Sequence, residues 1–113
     1  MVKWRFVGSG LVASVPREVV GHAVNLAHTQ NAQELAEEDA IAVVEWAGST
    51  ALTPLLPKLK GIVCTKGGIG SHLAILAREF GIPCLMATEL GENIEGRIVR
   101  ISEAGEVEVM EEG

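Results

Sequence analysis

The chain has 113 residues, enough for one domain around a single core and too few for two ordinary ones. Hydrophobic residues make up 48% of it, so it should fold. The net charge of −6 and the scattered basic residues, with no run of three, argue against a nucleic-acid surface. No apolar stretch approaches the roughly 20 residues of a membrane helix. The N-terminal MVKWRFVGSG lacks the long apolar region of a signal peptide, so a cytoplasmic protein is expected. In chain order, residues 3–8 alternate and predict a first strand, Gly8-Ser9-Gly10 predicts a turn or loop, and Pro16 rules out helix just before it. Residues 18–26 predict a second strand with Gly21 inside it. The polar stretch 28–39 reads either as a short helix or as a solvated connection. Residues 40–46 (AIAVVEW) predict a buried strand, and Ser49-Thr50 is placed to cap a helix over 51–59 with Pro54 in its first turn. Strand 61–64, a glycine loop, helix 71–80, a helix stop at Gly81 with Pro83 behind it, and strand 84–86 follow. Residues 96–101 and 106–110 alternate around Ala104-Gly105 and predict a hairpin.

The chemistry concentrates at the junction of the glycine loop and its helix. Lys66-Gly67-Gly68-Ile69-Gly70 leads from the strand into Ser71, a helix N-cap, and His72 is the first or second helical residue. A helix start carries unpaired N–H groups and a partial positive charge, so it attracts anions. The same field disfavours imidazolium and favours the neutral, nucleophilic ring. A histidine in that position suits the capture, holding and release of a phosphoryl group. At about 100° per residue, Leu73, Leu76, Ala77 and Phe80 form the expected core stripe, His72 lies at its rim, and Ala74 and Arg78 lie opposite. Neither Arg78 nor Glu79 is placed as a proton partner of the ring. A glycine-rich loop alone is weak evidence for phosphate binding, since such loops also serve as plain turns; its position before Ser71-His72 is what gives it weight.

Other reactive side chains read more simply. Cys64 and Cys84 fall in apolar runs and are expected as buried free thiols; no CxxC or HxxxH spacing suggests a metal. His22 and His28 read as ordinary surface or half-buried histidines, Trp4 and Trp46 as core or domain-edge aromatics. Arg78 and Glu79 are expected in local salt bridges, and Glu106, Glu108, Glu111 and Glu112 as a solvated strand face and end.

Thr65-x-Gly67-Gly68-x-x-Ser71-His72-x-Ala74-Ile75-x-Ala77-Arg78-Glu79-x-Gly81-Ile82-Pro83 resembles the phosphohistidine, or swivelling, domain of the phosphoenolpyruvate-utilising enzymes. Ala13-Ser14-x-Pro16, Val20-Gly21-x-Ala23, the strand 40–46 with Thr53-Pro54, and the closing hairpin from Glu95 to Val109 extend the likeness over nearly the whole chain, 1–113, as one mobile domain. The resemblance implies an α/β fold of the swivelling β/β/α type. It implies His72 as the phosphoacceptor, with Thr65, Gly67, Gly68, Gly70 and Ser71 around the phosphate. Three positions depart from the family pattern: Gly70 stands where a hydroxyl or amide side chain is common, Leu73 where a small residue is common, and Lys66 where an acid is common.

The implied function is a phosphocarrier that moves a phosphoryl group between a phosphoenolpyruvate or ATP site and an acceptor site. It would be a component of a phosphotransferase rather than a complete catalyst. The chain contains neither an ATP-grasp nucleotide-binding unit nor a phosphoenolpyruvate-binding barrel. These are the expected partners, whether the chain is a stand-alone subunit or part of a longer protein. No cofactor is expected on this chain itself; Mg2+ belongs with the partner catalytic domains. Neither nucleic acid nor membrane is an expected partner. Two other readings stand beside this one: a regulatory or binding module that kept the fold without turnover, and a non-covalent anion sensor.

Overall fold

A computed structural model describes residues 2–25, 39–46, 53–68 and 71–112. These described residues form seven strands: β1 (Val2–Val12), β2 (Val19–Asn25), β3 (Ala40–Trp46), β4 (Gly61–Lys66), β5 (Cys84–Leu90), β6 (Ile98–Ile101) and β7 (Glu106–Glu112). They close a barrel in the order β1-β5-β4-β3-β2-β6-β7, with β7 pairing back onto β1. β2, β3, β4 and β5 run parallel, and the remaining pairs are antiparallel. One α-helix, α1 (His72–Phe80), and a 3-10 turn (Thr53–Lys58) complete the described elements, so sheet outweighs helix in what was expected as an α/β domain.

Two apolar layers follow from where each strand face points. Val19, Ile41, Val63, Leu85, Val99, Val107 and Val109 fill the barrel interior. On the outside of β3–β5, Ala42, Ile62, Cys64, Cys84 and Met86 are covered by Leu73, Ala74 and Ala77 of α1 and by Leu56 and Leu59. The central parallel strands are therefore buried on both faces, which is why they read as continuous apolar runs. β6 and β7 are buried on one face only, which is why they alternate: Val99, Ile101, Val107 and Val109 point inward.

The helix forms where the sequence predicts. Ser71 caps it from an extended conformation, and Gly81 ends it in the left-handed region at φ 69°. Its buried stripe, however, is Leu73-Ala74-Ala77, with Leu76 partly buried. Ala74 is fully buried rather than opposite the core, and Phe80 is 49% exposed rather than part of it. The small Ala74 and Ala77 let the helix backbone approach the sheet closely, and that rotates the buried face towards them. Burying Leu73 contributes roughly 2 kcal/mol.

Two other expectations are corrected. Gly8-Ser9-Gly10 is neither turn nor loop but part of β1, where the register shifts against both β7 and β5. Gly10 passes so near β5 that a Cβ on it would lie 2.3 Å from Thr88 Oγ1, so the glycine serves a close strand contact. The segment expected as a helix over 51–59 is a 3-10 turn over Thr53–Lys58, its proposed caps Ser49 and Thr50 lying outside the described residues. Pro57 in its interior has no N–H to donate, which blocks a regular α-helix. The stretch 28–39, apart from Asp39, also lies outside the described residues, and His28 with it.

Candidate functional site

β4 delivers the loop to the carboxyl edge of the parallel strands, and α1 starts there. Helices that follow parallel strands place their N-termini at that edge, where ligands of open α/β sheets bind. Ser71 closes the loop: its N–H donates to the Gly68 carbonyl at 3.0 Å. Ser71 Oγ accepts from Ala74 N at 3.3 Å, and the Ser71 carbonyl accepts from Ile75 N at 3.1 Å. Those two N–H groups of the first turn are thus satisfied by the cap. The N–H groups of His72 and Leu73 precede any intrahelical acceptor. No acidic residue occupies the first turn of α1, so no carboxylate of its own offsets the positive end of the helix. His72 sits exposed at the first helical position, further into solvent than the expected rim of the core stripe.

Gly68 is exposed, and a Cβ built on it would meet no described atom within 4 Å. The fold does not demand a glycine there through crowding. Gly70 and Ile69 lie outside the described residues. Thr65 is half-buried near the end of β4. It lines a cleft of about 250 Å³ together with Asn25, Glu45, Lys66, Glu92 and Asn93. Neither Ser71 nor His72 is among the described residues lining that cleft. Lys66 Nζ contacts Glu45 Oε1 at 2.7 Å across β3 and β4. Glu92 accepts hydrogen bonds from Arg5, which hold its carboxyl below the usual carboxylate range. The sequence reading missed Asn25 and Glu45. Their signal was positional: each lies at or next to the end of a parallel strand, level with the loop.

The far end of α1 is held by the segment after β1. Arg78 Nε donates to the Ala13 carbonyl at 2.7 Å, Arg17 donates to the Gly81 carbonyl at 3.2 Å, and Ser14 Oγ donates to the Ile82 carbonyl. This gives the early Ala13-Ser14-x-Pro16 segment a physical task, which is to clamp the helix that carries His72. Arg78 thus has a backbone partner that the sequence reading did not name. Cys64 and Cys84 are buried free thiols, as expected. Burial pushes both thiols up, Cys84 to about 12. No described helix is long and apolar enough to cross a membrane.

The sequence profile described as the mobile domain of the PEP-utilising enzymes matches residues 29–104, a span from before β3 through the β6–β7 turn. This chain belongs to that family. Over 73 residues it is 30% identical to the rifampicin phosphotransferase of Bacillus subtilis, covering 63% of this chain and 8% of that protein. Over 60 residues it is 37% identical to a probable phosphoenolpyruvate synthase of Methanothermobacter thermautotrophicus, covering 50% of this chain and 9% of that protein. It is also 38% identical over 61 residues to chondramide synthase cmdD of Chondromyces crocatus, of which it covers 2%. The chain thus spans less than a tenth of the length of these relatives. Among solved structures, the N-terminal domain of Enzyme 1 - Nitrogen superposes on 65% of this chain and 32% of that one, with a TM-score of 0.52 and 27% identity. The Thermococcus kodakaraensis aconitase X chain shares the fold over 97% of this chain, with a TM-score of 0.58 and 18% identity.

Proposed function

We propose that this mobile domain of the β/β/α swivelling type is a phosphocarrier and that His72 is its phosphoacceptor. The observation that carries the reading is the placement of an exposed imidazole at the first position of a capped helix with no acidic residue in its first turn. A neutral ring nitrogen of His72 attacks the donor's phosphorus. The P–N bond forms as the donor's P–O bond breaks, and the oxygen leaves with the donor's electron pair. Transfer onward reverses this, with an acceptor oxygen attacking and the ring nitrogen leaving. Phosphoryl transfer needs mainly positioning and charge stabilisation. The helix dipole and the N–H groups of His72 and Leu73 supply both to the roughly two negative charges of the held group.

In this reading Gly67, Gly68 and Gly70 let the phosphate approach the backbone, and the open space at Gly68 supports that assignment. Thr65 offers a hydroxyl to the ring or phosphate, and Ser71 touches the phosphate only in addition to its capping bond. Lys66 acts through its pair with Glu45, shaping the cleft beside the loop. Leu73 fills the apolar layer under α1, so its departure from the family pattern is a matter of packing and gives no support to a module without turnover. The donor and acceptor sites lie on ATP-grasp or phosphoenolpyruvate-barrel partners, where Mg2+ also belongs; the chain itself takes no cofactor.

The test is incubation with such a partner and isotopically labelled donor. His72 should acquire an acid-labile, base-stable phosphate, and the His72→Ala variant should acquire none. Labelling that persists undiminished in His72→Ala overturns the assignment.

A further inference from the structure

The barrel has two outer faces, and among the described residues only one is covered by helix. The other is the outside of β2-β6-β7-β1, whose registers align its outward residues in rows. Val20 pairs with Arg100, Arg100 with Glu108, and Glu108 with Phe6. One step along, His22 pairs with Ile98 and Met110 with Trp4, while Ile98, just before the Val99–Val109 pair, falls level with Met110. Phe6 is 57% exposed and Val20 43%. At the centre, Arg100 Nη2 meets Glu108 Oε1 at 2.8 Å, and the guanidinium lies 4.6 Å from the centre of the Trp4 ring. A face that sets exposed Phe6 and Val20 around a central ion pair, with Glu106 at its edge, is unusual as a solvated surface.

We propose that this face is where a second copy of the chain docks, about a twofold axis running along the strands between β6 and β7. That operation exchanges β6 with β7 and β2 with β1. It sets Arg100 of each copy against Glu108 of the other, Val20 against Phe6, Ile98 against Met110, and His22 against Trp4. A twofold contact requires that a patch complement itself, and these rows do so in charge and in apolar character. Charge favours a copy at this face. The chain carries −6 overall, so two copies repel at most surfaces, whereas the centre of this face pairs one cation with one anion, and the outward Glu106 falls level with Ser102 rather than with another acid. Sheets pack face to face at about 10 Å, within reach of these side chains. Four strands span only about 19 Å, so the contact belongs to the small, weak class of interfaces. The face lies across the barrel from α1, which leaves both His72 side chains accessible in the dimer.

Sedimentation velocity from about 5 µM to about 500 µM tests this range of weak association. The mass should climb from the 11.9 kDa of one chain towards twice that value, and equally so for His72→Ala. Arg100→Glu and Glu108→Arg, each alone, place like charges across the axis and should remain monomeric while folded by circular dichroism. Mixed together they restore both cross-axis pairs, so the mixture should dimerise. Phe6→Lys should abolish association, whereas Ile75→Lys on the exposed side of α1 should not. A wild-type mass fixed at one chain overturns the proposal and leaves the face to a different protein. A dimer that survives Phe6→Lys, or a mixture of the two charge variants that stays monomeric, also overturns it.

Discussion

Arg78 Nε donates a 2.7 Å hydrogen bond to the carbonyl of Ala13, tying the last turn of the His72 helix to the segment that leaves β1. The two residues stand 65 positions apart in sequence. A helix of nine residues is too short to be stable alone, so its position depends on such contacts and on its buried face. The donor is charged and the acceptor is a part-buried carbonyl. Arg78→Ala should therefore lower unfolding free energy by about 1–2 kcal/mol. Urea titration against wild type measures it, and an unchanged midpoint would show that the clamp carries no stability.

Ser71 can be divided into cap and ligand. Ser71→Ala loses the bond to Ala74 N and should cost about 1 kcal/mol. Ser71→Asp keeps a capping oxygen, so its stability should stay close to wild type, while the added carboxylate competes with an incoming phosphate. Labelling of His72 should then fall at least about tenfold in Ser71→Asp although the fold is intact. Parallel urea melts and donor labelling separate the two effects.

Thr88 is buried, and its hydroxyl has no hydrogen-bond partner among the described residues. Next to it, Ala87 holds a φ of 49°, and this kink accompanies the shift of the β1–β5 register. The orphan hydroxyl loses its water without compensation. Thr88→Val should raise unfolding free energy by about 1 kcal/mol. A marked loss of stability in the same assay would reveal a bond that the hydroxyl makes.

Cys84 sets an alkaline limit. Its thiol is pushed from 9.0 to about 12 by burial, with Cys64 adding to the effect and Arg78 opposing it. The folded state therefore holds its proton more tightly than the unfolded state. Stability from this group is complete below pH 9 and declines as pH rises through 9 towards 12. Midpoints of urea unfolding measured from pH 8 upward should fall, and the fall should be shallower in Cys84→Ala. The native thiol should also resist alkylation near neutral pH, because the thiolate is the reactive species.

The elements legible in the sequence were those whose pattern is set locally. Residues 40–46, the β6–β7 hairpin and the Ser71-to-Gly81 helix show their own periodicity or their own caps. Gly8-Ser9-Gly10 misled because glycine in a turn and glycine under a close strand crossing look the same until the crossing strand is known. Pro57, with no N–H to donate, was the residue that the expected helix over 51–59 left out. The candidate site was partly legible for a related reason. Thr65 to His72 are contiguous, so spacing alone brings loop and helix start together. Asn25 and Glu45 come from other strands, and only the parallel order β2-β3-β4 sets them beside Thr65 and Lys66.

Capping and loop chemistry act over a few neighbouring residues, so the order of residues alone is enough to start a capped helix at His72 behind a glycine-rich loop. Barrel closure, the face α1 buries, the clamp from Ala13 and the outer face carrying Phe6 and Trp4 depend instead on how distant segments meet. Each arises when residues distant in the chain compete for the same space, and no local pattern encodes the outcome of that competition.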